Sequence, residues 1–111
     1  MKVVVSIGGS VLAPDLQSQR VREHAAVIES LASEGCTIGA VVGGGGVARD
    51  YIGTARNLGA NEIELDDIGI DVTRLNARLL IAALGEQAAP SPPETYEEAG
   101  TAMHRGDIAV M

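Results

Sequence analysis

Directly after Thr37 to Val42 the chain places four consecutive glycines, Gly43 to Gly46, followed by Val47-Ala48-Arg49. A glycine inside regular structure costs about 0.5–1 kcal/mol against alanine, so a plain turn hardly requires all four. A backbone that must come within hydrogen-bonding distance of an anion does. Free amides at the start of the following helix attract negative charge. Side chains tilt toward that end, so Arg49 can reach back to a phosphate. The alternative is a flexible connector with Arg49 in solvent. Ile7-Gly8-Gly9-Ser10 is a second candidate. Its glycines permit close backbone approach and Ser10 adds an amide and a hydroxyl, or the pair simply forms a tight turn with positive φ. Asp66 with Asp67 is the third. A carboxylate there can cap a helix or accept hydrogen bonds from the adjacent hydroxyls of a ribose, and spacing alone favours the cap.

Other chemistries drop out. There is no GxxxxGK[ST] motif, and Lys2 lies outside any glycine loop. A P-loop is thereby excluded, and phosphate charge would be met by amides, Arg49 and a bound Mg²⁺. Gly43, Gly45 and Ala48 match the G-x-G-x-x-A dinucleotide fingerprint, with Asp66 about 20 residues onward, so an NAD-binding Rossmann-like module is the alternative. Against it, the Rossmann acid should end a strand, whereas Asp66 reads as a helix start. His24 and His104 fall on separate helices without Cys or His partners, so no metal ligands are assigned. Cys36 reads as a small buried hydrophobe. Arg74 and Arg78 form a stripe with Asp67 and Asp71, expected to be a solvated face paired with Asp71 or part of a subunit contact.

The elements that must hold these residues alternate. Lys2–Ile7 is a β-branched run ending at Gly8-Gly9, a buried strand. Val21, Ala25, Ile28 and Leu31 recur at helical spacing up to Gly35, with Ser18 as a possible cap. Thr37–Val42 is a second strand, and a helix is expected over Val47–Leu58, stopping at Gly59. From Asp66 a long helix is expected with Ile68, Val72, Leu75, Leu79 and Ala83 on its inner face. Pro92 and Pro93 exclude a central strand after Gly85, leaving a short strand start or a loop. Glu94–His104 then reads as an acidic helix with a Thr95/Glu98 capping box, and Asp107–Met111 as a last strand. The β-α-β-α order and right-handed crossovers make the sheet parallel. Ligands in such sheets bind beyond the carboxyl ends of the strands, where both glycine loops fall.

Composition agrees. The 111 residues allow at most one domain, and 46% are hydrophobic with no Phe or Trp, so the core is aliphatic. A net charge of −7 argues against binding nucleic-acid polymers. Lys2 is the single lysine beside seven arginines, which together with the acid excess suggests adaptation to high salt. The single Cys36 and the absence of a signal-peptide pattern or a 20-residue apolar span lead to the expectation of a soluble cytoplasmic protein.

The motifs IGGSVL (Ile7–Leu12), VVGGGGVARDYI (Val41–Ile52) and DDIGIDVTRLNARLLIAAL (Asp66–Leu84), with the closing AVM, resemble the N-terminal half of archaeal-type uridylate kinases of the amino-acid kinase superfamily. The resemblance covers the whole chain. It implies an α/β fold with a mostly parallel sheet and helices on both faces, a three-layer sandwich here truncated, residues 1–111 being the N-terminal part of one domain. It also implies Mg²⁺-dependent transfer of the ATP γ-phosphoryl group to UMP, giving UDP and ADP in pyrimidine nucleotide synthesis, by a homohexamer built from dimers. By position, Gly9, Ser10, Gly45 and Arg49 would contact ATP and Gly44 UMP, while Asp66 would hold the UMP ribose. No catalytic residue is assigned. Ser6 stands where many superfamily members carry a lysine, one that the archaeal uridylate kinase branch also lacks. With only half of the domain, these residues alone are expected to be inactive. A catalytically silent nucleotide-binding member is the remaining alternative.

Overall fold

The computed structural model describes residues 1–111. Strand β1 (Lys2–Ile7) runs parallel to β2 (Thr37–Val42), which runs parallel to the short β3 (Ala109–Val110), in the order β1-β2-β3. The two strand ranges foreseen for β1 and β2 hold as stated. Register pairs Lys2 with Thr37 and Ile7 with Val42, so β1 and β2 finish level. The loops opening at Gly8 and Gly43 therefore leave the same sheet edge side by side, joined by the Gly43 amide donating to the Ile7 carbonyl at 2.9 Å.

Helices lie on both faces, but β1 is not the buried strand expected: only one of its faces is covered, and Lys2, Val4 and Ser6 on the other are exposed, Val4 at 69%. On one face of the sheet, α2 (Ser18–Ser33) and α4 (Glu62–Leu84) pack an aliphatic core in which Leu12, Ile28, Ile38, Leu80 and Val110 are fully buried. On the other, α5 (Tyr96–His104) packs small residues, Ala99 and Ala102, against Ala89 and Ala109. The alternation of strand side chains sorts them: Ile108 and Val110 belong to the first core, Ala109 to the second. Gly39 lets α5 sit close, since a Cβ there would stand 3.2 Å from the Met103 sulfur. Helix α3 (Gly45–Asn57) leans on α4, and a single turn, α1 (Gly9–Leu12), follows the first glycine pair.

Several expectations change. Helix α4 begins at Glu62, capped by Asn61, whose Oδ1 accepts from the Glu64 amide at 2.9 Å, so Asp66 and Asp67 are not its caps. Asn61 supplies the short acceptor a cap needs one turn earlier. The inner face of α4 is Leu65, Val72, Asn76, Ala77, Leu80 and Leu84, whereas Leu75 and Leu79 point outward. That helix is apolar on more than one side, so periodicity alone could not phase it. Arg74 does not pair with Asp71: its guanidinium donates to the carbonyls of Pro92 (3.1 Å) and Pro93 (3.3 Å) and fastens the proline loop to α4. That loop contributes one parallel bridge, Ala88 to Ile108, and no longer strand. Helix α3 starts two residues before the expected Val47, α5 at Tyr96 rather than Glu94, and Ser18 is the first helical residue of α2, with Gln17 before it as the uncapped flank. Thr95 caps α5 as foreseen, but Glu98 reaches back to the Glu94 amide rather than to that of Thr95. No helix is long and apolar enough to cross a membrane.

Candidate functional site

The site is built on two glycine loops in backbone contact. A Cβ on Gly9 would lie 2.6 Å from the Gly43 oxygen and from the Gly45 nitrogen; one on Gly45 would lie 2.6 Å from the Ser10 nitrogen. Real Cβ atoms do not come so close, so both positions require glycine for the loops to touch. Gly45 also has φ +65°, a left-handed conformation that glycine adopts without a steric penalty. Gly44 is closed by Ala48, whose Cβ would stand 2.5 Å away. The glycine run is thus explained in part by loop-on-loop packing, not by ligand approach alone. Gly46 is the exception, having only the Arg49 Nη2 in ordinary contact at 3.6 Å.

The amides of Gly44, Gly45, Gly46 and Val47 donate to no backbone carbonyl, and Gly44 brings no side chain to cap α3. Four free N–H groups at a helix start carry partial positive charge, reinforced by the peptide dipoles behind them. Arg49, one turn into α3, reaches back as its position suggests: its Nη2 donates to the Ser10 Oγ at 3.4 Å and bridges the two loops.

Two hollows flank the junction. One, of about 310 Å³, includes Gly9, Ser10, Gly44, Gly46, Asp50 and Asn76 in its wall. The other, about 600 Å³ and more open, has Gly44, Gly45, Arg49 and Asp66 together with Ile52 and Thr73. Gly44 belongs to both. All six residues singled out in the sequence, Gly9, Ser10, Gly44, Gly45, Arg49 and Asp66, therefore border this one region. Asp66, on the second turn of α4, is exposed and makes no hydrogen bond or ion pair within the chain, leaving its carboxylate free to accept from a ligand. Asn76, which sequence reasoning passed over, is here as well; the signal available was an amide side chain four residues after Val72 and four before Leu80, on the helix's apolar face. The Asp15 backbone beside the first loop has φ +52°.

Asp66 lies inside a helix and does not end a strand, so the dinucleotide fingerprint lacks its acid in the required place and the NAD-binding alternative is withdrawn. No group of three or more His, Cys, Asp or Glu residues is placed to hold a metal ion, and His24 instead sets its Nε2 3.2 Å from the Val11 carbonyl.

A parallel sheet with helices on both faces, and glycine loops meeting beyond its strand ends with free amides, defines the class as an α/β protein with an anion-receptive loop junction. Residues 1–109 match the model of the amino acid kinase family, and the chain belongs to that family. It is 77% identical over 111 residues to the uridylate kinase of Halobacterium salinarum, covering 100% of this chain and 46% of that protein. With the uridylate kinase of Haloquadratum walsbyi it shares 69% identity, again over all of this chain and 46% of the relative. The crystal structure of uridylate kinase from Archaeoglobus fulgidus superposes with a TM-score of 0.92 at 48% identity, covering 100% of this chain and 50% of that one. The chain thus spans about half the length of the curated relatives it matches. The first two relatives come from halophilic archaea, in keeping with the acidic, lysine-poor composition.

Proposed function

We propose that the protein is a UMP kinase transferring the ATP γ-phosphoryl group to UMP. The observation that carries this reading is the convergence of Gly44, Gly45, Arg49 and Asp66 on one hollow, continuous through Gly44 with the hollow at Gly9 and Ser10, in a chain 77% identical to a uridylate kinase. Asp66 would accept hydrogen bonds from the ribose hydroxyls of UMP, with Gly44 beside its phosphate. Gly9, Ser10, Gly45 and Arg49 would take the ATP phosphates. Phosphoryl transfer asks the protein chiefly to align donor and acceptor and to stabilise charge on the moving group. Two abutting amide-rich loops suit that task.

Magnesium belongs to the proposal only as a companion of ATP. Asp15 and Asp50 border the smaller hollow, but two carboxylates do not make a protein cage, and Mg²⁺ in such sites is held largely by substrate phosphates and water. No step is assigned to it. A cytoplasmic homo-oligomer, a hexamer in the family resemblance, is also part of the reading. Its support is the apolar surface left on α4 by Leu75 and Leu79, 61% and 37% exposed.

The test is a coupled assay on the full-length gene product with ATP and, in turn, UMP, CMP and isopentenyl phosphate. ADP formation dependent on UMP is expected; no turnover with any acceptor would sink the reading.

A further inference from the structure

Asn76 is the one polar residue among the buried side chains, 5% exposed in the middle of α4. Its Nδ2 donates to two successive carbonyls of the second glycine loop, Gly43 at 3.0 Å and Gly44 at 3.3 Å. In a trans planar peptide the N–H points opposite to the preceding C=O. Holding the Gly43 and Gly44 carbonyls toward α4 therefore turns the amides of Gly44 and Gly45 away from it. Those are two of the four amides without a backbone acceptor. A run of glycines has little conformational preference of its own, so the direction of these amides must be set from outside. The Gly9 loop fixes one side of the run by contact, and Asn76 fixes the other.

We propose that Asn76 is a positioning residue that presets the Gly44 and Gly45 amides as a receptor for the oxygens of a phosphoryl group. Its catalytic consequence rests on the kinase reading; its effect on anion binding does not. A single amide nitrogen supplies both donors. Leucine matches the shape without donating, serine donates once, and neither can hold both carbonyls. Donors aimed in advance at developing charge act on turnover more than on ground-state affinity for the acceptor.

The experiment uses the full-length gene product as wild type, Asn76→Leu and Asn76→Ser. Amide resonances of Gly44 and Gly45 are followed during titration with pyrophosphate, alongside steady-state kinetics with ATP and UMP. In the wild type both resonances should shift on titration. In Asn76→Leu the shifts should be lost and pyrophosphate affinity reduced by about 10-fold or more. Its kcat should fall about 100-fold with the KM for UMP changed by less than about threefold. Asn76→Ser should fall between, and it decides the matter if the leucine variant does not fold. Unchanged pyrophosphate shifts and kcat in a folded variant would overturn the proposal. If the wild type turns over no UMP while Asn76→Leu still loses the pyrophosphate shifts, the kinase reading fails and the positioning role stands.

Discussion

The starts of α4 and α5 differ from the start of α3 in how they treat the same backbone problem. At α4, Asn61 accepts from the Glu64 amide, with Glu62 and Glu64 in the first turn; at α5, Thr95 accepts from the Glu98 amide, with Glu97 and Glu98 beside it. Both ends satisfy an otherwise orphaned donor and place negative charge on the positive pole of the helix. Helix α3 has neither a side-chain cap nor an acid in its first turn. Its polar attachment runs the other way, from Asn76 to the carbonyls, so the amides remain free. Helix α2 also starts uncapped, behind Gln17, so an open start alone does not mark a site. What sets α3 apart is that its open start lies where the two glycine loops meet.

The most severe way to break this contrast is Gly45→Val. The substitution forces a β-branched residue to φ +65° and sets a Cβ 2.6 Å from the Ser10 nitrogen, backbone that cannot swing aside. We expect UMP-dependent turnover to fall by more than about 100-fold through loss of the aligned amides, together with a lower thermal midpoint. Turnover within a few-fold of wild type would mean that the loop junction does not build the site.

Asp66→Asn should come next and act on binding alone. The carboxylate is exposed and makes no bond within the chain, so stability should be unchanged within about 0.5 kcal/mol. The KM for UMP should rise by about 10-fold or more as charged acceptors to two ribose hydroxyls are weakened. Asp67→Asn, one residue on and absent from the walls of both hollows, should leave kinetics alone. Equal effects from the two would remove Asp66 from the site.

At the capped ends the effect moves from activity to stability. Asn61→Ala should cost about 1 kcal/mol in denaturant unfolding with kcat unaltered, because the cap lies at the far end of the first turn from Asp66. A loss of kcat comparable to that of Gly45→Val would erase the distinction between closed and open helix ends.

What the chain's letters disclosed follows from how local each signal is. β1 and β2 were legible because unbroken β-branched runs stop at glycines, and the Thr95 cap because its acceptor and donor are three residues apart. That Gly9, Ser10, Gly44, Gly45 and Arg49 come together was legible because short motifs around the glycine loops carry them, whereas spacing made Asp66 a helix cap and only the family resemblance drew it to this region. The phase of α4 was not: Leu75 and Leu79 continue a helical stripe as well as Leu80 does, and only packing on β2 and α2 decides which enters the core. Arg74 was misjudged because its partners lie 18 and 19 residues onward in an irregular loop, beyond the reach of helix-face reasoning. Asn76 was overlooked for the same reason, its acceptors being 33 and 32 residues back.

The smallest expected effect separates the two explanations of the glycine run. Gly46 lies within the first turn of α3, and an added Cβ would meet only the flexible end of Arg49 at 3.6 Å. Packing therefore does not demand glycine there, unlike at Gly45 next to it. If loop contact is what requires glycine, Gly46→Ala should keep kcat and both KM values within about twofold and stabilise the fold by up to about 1 kcal/mol, through the lower entropy of its unfolded chain. If instead a bound phosphate comes against the Gly46 Cα, the same methyl group would leave the free protein as stable or more so while cutting ATP affinity. Melting and ATP titration of this one variant thus decide whether the last glycine of the run serves the fold or the ligand.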